Sequence, residues 1–216
     1  MEEDNDMKDI FSYNSDVDKN AYMNWRIDRH NNINNMITIA DGYMKASILL
    51  AKQCIADNDD KKADILIFPI LFDANHAIEL YLKAINWSLN ILLDNGKKNE
   101  GNHDIQQIFS NVCSRVNEFE KEKEKRKQFK DLTNDLRNYI DELYSEIKKS
   151  SAKTNKDNMD FSRYPFVKGY INHFYIEEFD NVVVDLENFI TRFEKIGRNL
   201  DSIAKHYLYD YIIEGQ

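Results

Sequence analysis

FPILFDANHAIELYLKAINWSLNILL, residues 68–93, is apolar on nearly every side when it is plotted at 3.6 residues per turn. A helix of this composition is enclosed by other helices, whereas a surface helix has one polar face. The sequence therefore predicts a central helix against which the rest of the chain packs.

The polar residues of this stretch follow one side of the predicted helix. Asp73, His76, Glu79 and Lys83 recur at i, i+3, i+6 and i+10. Because charges that leave water need partners, we expect this stripe to face a recess formed with neighbouring elements.

The composition favours a helical, acidic protein. Six glycines and two prolines among 216 residues, together with 31% charged residues, are typical of long helices and not of a turn-rich sheet protein. The formal net charge of −9 argues against non-specific coating of DNA or RNA, which requires a basic surface. This net charge does not exclude one basic groove on the surface.

Cysteine usage and apolar runs indicate the compartment. Cys54 and Cys113 lie far apart without metal-type spacing, and we expect both to be buried free thiols in a reducing cytoplasm. The first residues, MEEDNDMKDIF, lack the apolar region of a signal peptide. We identify no apolar run of the roughly 20 residues that span a bilayer, so we expect a cytoplasmic protein without membrane contact.

The rest of the chain divides into an arm and one helical domain. Residues 1–19 are predicted to form an acidic arm or a short docking helix, and residues 20–216 a single domain. Apolar spacing predicts a first helix over about 19–58, with a bend or close helix contact at Gly42. It also predicts two helices between residues 102 and 147 and a closing helix from Val182.

Two segments differ from this regular pattern. The cations of residues 120–130, EKEKEKRKQFK, alternate with acids and are interpreted as a solvated face and not as an RNA track. Residues 161–175, FSRYPFVKGYINHFY, are aromatic and β-branched and predict a small hairpin or extended flap. The predicted fold is all-α, an up-and-down bundle of about five helices with this insertion before the last helix.

Four sequence features, which follow one another along the chain, resemble those of a known family. They are HAIELYLKA at 76–84, a glycine-containing loop, HDI at 103–105 and FSRYP at 161–165. Over most of the chain after about residue 30, this order resembles bacterial HEPN-like helical proteins. The resemblance implies a HEPN-like bundle, a homodimer, and a place in toxin–antitoxin or anti-phage defence systems. Two functions follow from it: a metal-independent endoribonuclease, or a non-catalytic module that binds a nucleotide or a partner protein.

The nuclease members of the family carry an arginine, four to six residues, and then a histidine. Arg198 and His206 are one residue too far apart for this pattern, and the Arg26–His30 and Arg163–His173 pairs also depart from it. If Arg198 and His206 face one cleft, the arginine would stabilise the phosphate charge and His206 would take the 2′-hydroxyl proton. The alternative is a solvated helix face.

A second candidate site is centred on His76, to which we assign proton transfer. Its predicted substrate-binding residues are Glu79, Lys83, His103, Arg163 and Tyr164. The alternative is a structural polar network that ties two helices to the insertion, for example through a pair of Glu79 and Arg163. We expect no cofactor and no metal, because the Glu-x-x-His spacing at Glu100–His103 has no second copy.

Overall fold

The computed structural model describes residues 8–97, 101–148, 160–167, 169–177 and 180–215. These residues are mostly helical, which confirms the all-α class. The helices are α1 (Asn32–Ala56), α2 (Ala63–Leu92), α3 (Ile105–Phe119), α4 (Lys123–Leu132), α5 (Asn134–Ile147), α6 (Asp160–Arg163), α7 (Phe174–Glu177) and α8 (Leu186–Lys205). A π-helical segment, His206–Ile213, continues α8.

Helix α2 is the central helix, as the sequence predicts. It packs against α1, α3, α8 and the π-helical segment, and Ile78, Ile85 and Leu89 are fully buried. Because α2 begins at Ala63, Pro69 lies inside the helix and not in its first turn. The Ser47 hydroxyl donates a hydrogen bond to the carbonyl of Ile70 (2.8 Å), which ties α1 to α2 just after the proline.

By length and composition alone, α2 could cross a membrane, contrary to our expectation that no stretch is long and apolar enough. The helix lies among the other helices of the fold, and it carries the buried Glu79 and Lys83. Its character is compatible with the core helix of a soluble protein.

Helix α1 begins later than its apolar pattern predicts. The side chain of Asn31 accepts a hydrogen bond from the backbone N–H of Asn34 (2.9 Å) and caps the helix. The preceding chain is held against the first turn because the Asn35 amide donates to the Asp28 carbonyl (2.6 Å) and accepts from the Asp28 N–H (2.8 Å). Before it, a 3-10 turn at Val17–Lys19 is the helical element of the described part of the arm.

The closing helix also starts later than predicted. Asp185 is its N-cap and accepts from the Asn188 N–H (3.0 Å), so Val182 and Val183 precede the helix and are exposed. From His206 onward the helix has π geometry, which often marks a functional site.

The insertion contains α6, a pair of two-residue strands and α7. Strands β1 (Phe166–Val167) and β2 (Ile171–Asn172) are antiparallel, with Gly169 and Tyr170 at positive φ between them. The rings of the buried Phe161 and Phe174 lie 5.7 Å apart and anchor the insertion. Helix α6 contacts α2, so the insertion is held beside the central helix.

Helices α1 and α8 approach closely at Gly197, not at Gly42. A Cβ atom at Gly197 would lie 2.8 Å from Met44 Cγ, whereas a Cβ atom at Gly42 would meet nothing within 4 Å. The expected close contact at Gly42 is therefore absent.

We expect Gly197→Ala to lower the free energy of unfolding by about 1–3 kcal/mol, because the added methyl group overpacks the α1–α8 contact. Gly42→Ala is the matched control and is expected to raise the free energy of unfolding by up to about 1 kcal/mol through helix propensity. Urea denaturation measures both variants. Equal stabilisation by the two substitutions would contradict a tight contact at Gly197.

Candidate functional site

Glu79 is the centre of a cluster of ionisable side chains on α2. Lys83, one turn further along, places its Nζ 2.6 Å from Glu79 Oε1, and His103 places its Nδ1 3.0 Å from the same oxygen. His76 Nδ1 lies 3.8 Å from the other oxygen, Oε2. The structure thus brings together four of the predicted site residues, which we call the Glu79 cluster: His76, Glu79, Lys83 and His103.

The cluster has a buried half and an open half. Glu79 is 1% exposed and Lys83 7% exposed, whereas 55% of the His103 side chain is exposed. Lys83 therefore pairs with Glu79 inside the core, and the two histidines are the residues of the cluster that can contact a ligand.

The capping of α3 places His103 against Glu79. The N-cap of this helix is Asp104, whose carboxylate accepts from the Gln107 N–H (3.0 Å). The Asn102 side chain instead accepts from the Asp104 N–H (2.9 Å). His103 is held between these two residues, immediately before the helix begins.

The pKa of Glu79 lies below its ordinary value. Burial favours the neutral carboxyl group, but His76, Lys83 and His103 favour the carboxylate and outweigh the effect of burial. Glu79 is therefore ionised at neutral pH. Among the described residues, Glu79 Oε2 and His76 Nδ1 have no hydrogen-bond partner although both atoms are buried.

Two aromatic rings hold His76. The Phe72 ring stacks on the imidazole with centroids 5.8 Å apart, and the Tyr43 ring meets it edge-on at 4.6 Å. We did not predict either ring from the sequence. The i, i+4 spacing of Phe72 and His76 was the available signal, but nothing local indicates Tyr43, which comes from α1.

Arg163 and Tyr164 lie beside the cluster but outside its hydrogen-bonding network. The Arg163 guanidinium is 5.9 Å from the Phe72 centroid and 5.2 Å from the Tyr164 centroid, and it pairs with Asp160 at 3.8 Å. The pair of Glu79 and Arg163 that we considered as a structural alternative is not formed. Arg163 is instead connected to His76 through the Phe72 ring.

Arg198 and His206 make separate contacts. Arg198, with 70% of its side chain exposed, lies 4.0 Å from Glu194, whereas His206 Nδ1 lies 2.5 Å from Asp210 Oδ2. Eight positions at about 100° per residue turn the two side chains about 80° apart around an α-helix. No contact between them is present in the described part of the chain, and neither belongs to the Glu79 cluster.

His206 lines a groove of about 620 Å³ between α4 and the π-helical segment. The Lys125 ammonium donates to the Tyr211 hydroxyl (3.2 Å) within this groove. The buried Glu120, at its inner side, accepts a hydrogen bond from the Tyr207 hydroxyl (3.3 Å). The groove is a second recess with an imidazole–carboxylate pair, but without Arg198.

The Glu79 cluster can perform acid–base chemistry. A carboxylate on one imidazole nitrogen fixes the tautomer and orientation of the ring, and the other nitrogen remains for a substrate. Here Glu79 occupies His103 Nδ1, so His103 Nε2 is the nitrogen that can exchange a proton. Glu100, which we considered in the Glu-x-x-His spacing, lies outside the described residues.

Comparisons of the chain with protein-family models, with curated proteins and with solved structures gave no match. We therefore infer the function from the geometry of the chain itself.

Proposed function

We propose that the protein is a cytoplasmic, HEPN-like component of a bacterial toxin or anti-phage defence system that cleaves RNA without a metal ion. One observation carries the proposal: His103 is half exposed while its Nδ1 is held 3.0 Å from the ionised, buried Glu79. An oriented imidazole at the surface is the group that metal-independent RNA cleavage requires.

The reaction assigns a role to each histidine. His103 Nε2 accepts the proton of a ribose 2′-hydroxyl, and the 2′-oxygen forms a bond to the adjacent phosphorus. The bond from phosphorus to the 5′-oxygen breaks, and His76 donates a proton to that leaving oxygen. The products are a 2′,3′-cyclic phosphate and a 5′-hydroxyl, so that no oxidant or metal is consumed.

The remaining residues position these groups. Lys83 keeps Glu79 ionised from within the core, and we reassign it from substrate binding to this positioning role. Arg163, exposed beside Phe72, supplies a cation for the scissile phosphate, and Tyr164 lies next to it. We also propose that the protein works as a homodimer or with a partner protein, as its HEPN-like sequence implies.

A second candidate function is a non-catalytic module that binds a nucleotide or a partner protein. It is favoured by the contacts of Glu79 Oε1, which lead to Lys83 and His103 and join α2 to the start of α3. In this alternative the cluster stabilises the fold, and the exposed His103 contacts a ligand without transferring protons.

A cleavage assay in the presence of EDTA tests the proposed function. A fluorescent single-stranded RNA and a DNA of the same sequence are incubated with the purified chain, and the ends of any products are identified. We expect cleavage of RNA only, leaving 2′,3′-cyclic phosphate ends. Intact RNA both in EDTA and after Mg²⁺ addition would reject the enzyme and leave the binding module.

A further inference from the structure

Helix α4 contributes one wall of a recess of about 300 Å³ whose charged lining is entirely cationic. Helix α5 supplies one of these cations, and Cys113 and Asn117 of α3 also line the recess. We call it the basic groove and define it by its five cations: Lys123, Arg126, Lys127, Lys130 and Arg137. The net charge of −9 does not exclude such a groove.

Because α4 starts at Lys123, four of the cations in residues 120–130 lie on one helix face. Lys123, Arg126, Lys127 and Lys130 stand at i, i+3, i+4 and i+7, which is one helix face. Glu122 precedes the helix and pairs with Lys125 (3.3 Å), which lines the His206 groove instead. Most of these residues are exposed, as a solvated face requires, but four of the cations share one side of α4.

Glu120, which precedes Glu122 in this segment, does not lie on the surface. Glu120 is buried and accepts a hydrogen bond from Tyr207. Two of the acids that interrupt the basic run, Glu120 and Glu122, thus have partners outside the basic groove.

No carboxylate among the described residues pairs with a cation of the groove. Among the described residues, Lys123, Arg126, Lys127 and Lys130 form no ion pair. The half-buried Arg137 is held by the Phe109 ring, 4.9 Å from its guanidinium carbon, and by Cys113 Sγ at 3.6 Å. Like charges this close repel one another, and a bound anion relieves the repulsion.

We infer that the basic groove binds the phosphate backbone of single-stranded RNA. From Lys123 to Lys130 the basic face extends about 10 Å along α4, which is long enough for more than one phosphate group. The groove also borders the C-terminal half of α3, about 15–20 Å along that helix from His103.

This inference rests on the proposed function and specifies how its substrate is held. Contacts to phosphates position a strand without reading its bases, so the groove supplies affinity and register but not sequence preference.

Binding is tested with the full chain and a fluorescein-labelled single-stranded RNA with 2′-O-methyl riboses, which the proposed reaction cannot cleave. The groove variant is Lys127→Ala/Lys130→Ala. The matched control is Lys45→Ala/Lys52→Ala, which changes the net charge equally on α1, where both lysines pair with carboxylates. Fluorescence anisotropy at several salt concentrations gives the Kd and its salt dependence.

We expect the groove variant to bind about 10-fold more weakly at low salt and the control to change less than about 2-fold. The slope of log K against log salt should fall by about 1.4, because two phosphate contacts are lost. Equal affinity of the two variants would overturn the inference. Displacement of the RNA by ATP at the same molar concentration would also overturn it, in favour of a small phosphate ligand.

Different experimental results would contradict RNA binding by the basic groove and the proposed cleavage of RNA. Groove-dependent binding of an RNA that the chain never cleaves would reject the proposed activity and support the groove. Conversely, unchanged kcat/KM for RNA cleavage by the groove variant would contradict RNA binding by the basic groove. The proposed cleavage activity would then stand.

Discussion

Glu79→Gln is expected to lower the free energy of unfolding by about 3–5 kcal/mol, because it removes the counter-charge of a buried lysine. Lys83 is 7% exposed, and its ammonium lies 2.6 Å from Glu79 Oε1. Glutamine has nearly the same shape as glutamate, so the substitution changes the charge and leaves little cavity. Urea denaturation at neutral pH measures the loss.

A double substitution identifies the unpaired charge as the cause. In Glu79→Gln/Lys83→Met the buried ammonium is absent, and we expect most of the lost stability to return, since a buried ion pair can be replaced by neutral groups of similar volume at little cost. If the double variant is less stable than Glu79→Gln, the loss comes from packing and not from an unpaired charge.

The same pair gives the wild-type chain a pH signature. The folded pKa of Glu79 lies below its ordinary value of 4.5, so its contribution to stability is fully present above that value and is lost as the pH falls through the folded pKa. The stability difference between wild type and Glu79→Gln should therefore shrink as the pH decreases below 4.5. A difference that stays constant there would contradict the lowered pKa.

His103→Ala is expected to reduce kcat/KM for RNA cleavage by about 10²–10⁴-fold, the range for loss of a general acid–base group. His103→Gln is the informative companion, because an amide can still donate a hydrogen bond to Glu79 but cannot shuttle a proton. We expect His103→Gln to retain the wild-type melting temperature and to lose activity as His103→Ala does. A cleavage assay in EDTA and thermal melting measure these effects.

The His206→Ala variant shows which of the two recesses holds the catalytic residues. His206 lies in the separate groove beside the π-helical segment, so we expect its loss to leave cleavage nearly unchanged. If His206→Ala abolishes cleavage and His103→Gln does not, the active centre is the His206–Asp210 pair, and the Glu79 cluster is a structural network.

The helical class and the central position of α2 follow from the sequence, because burial all round a helix leaves a pattern that needs no knowledge of neighbours. The i, i+4 spacing of Glu79 and Lys83 likewise makes their pairing a local property. Helix starts were less predictable. Asn102 and Asp104 are both good capping residues, and the choice between them depends on the hydrogen bonds that each makes after folding.

Contacts between distant segments were decided only by the tertiary structure. His103 reaches Glu79 from another helix, and Arg163 approaches His76 through Phe72, because α3 and the insertion pack against α2. The basic groove arises in the same way. Residues 120–130 alternate in sign along the chain, but α4 starts at Lys123 and turns four of its cations to one side. Periodicity along one helix determines which residues are buried, whereas the meeting of side chains from different helices depends on packing that no single segment encodes.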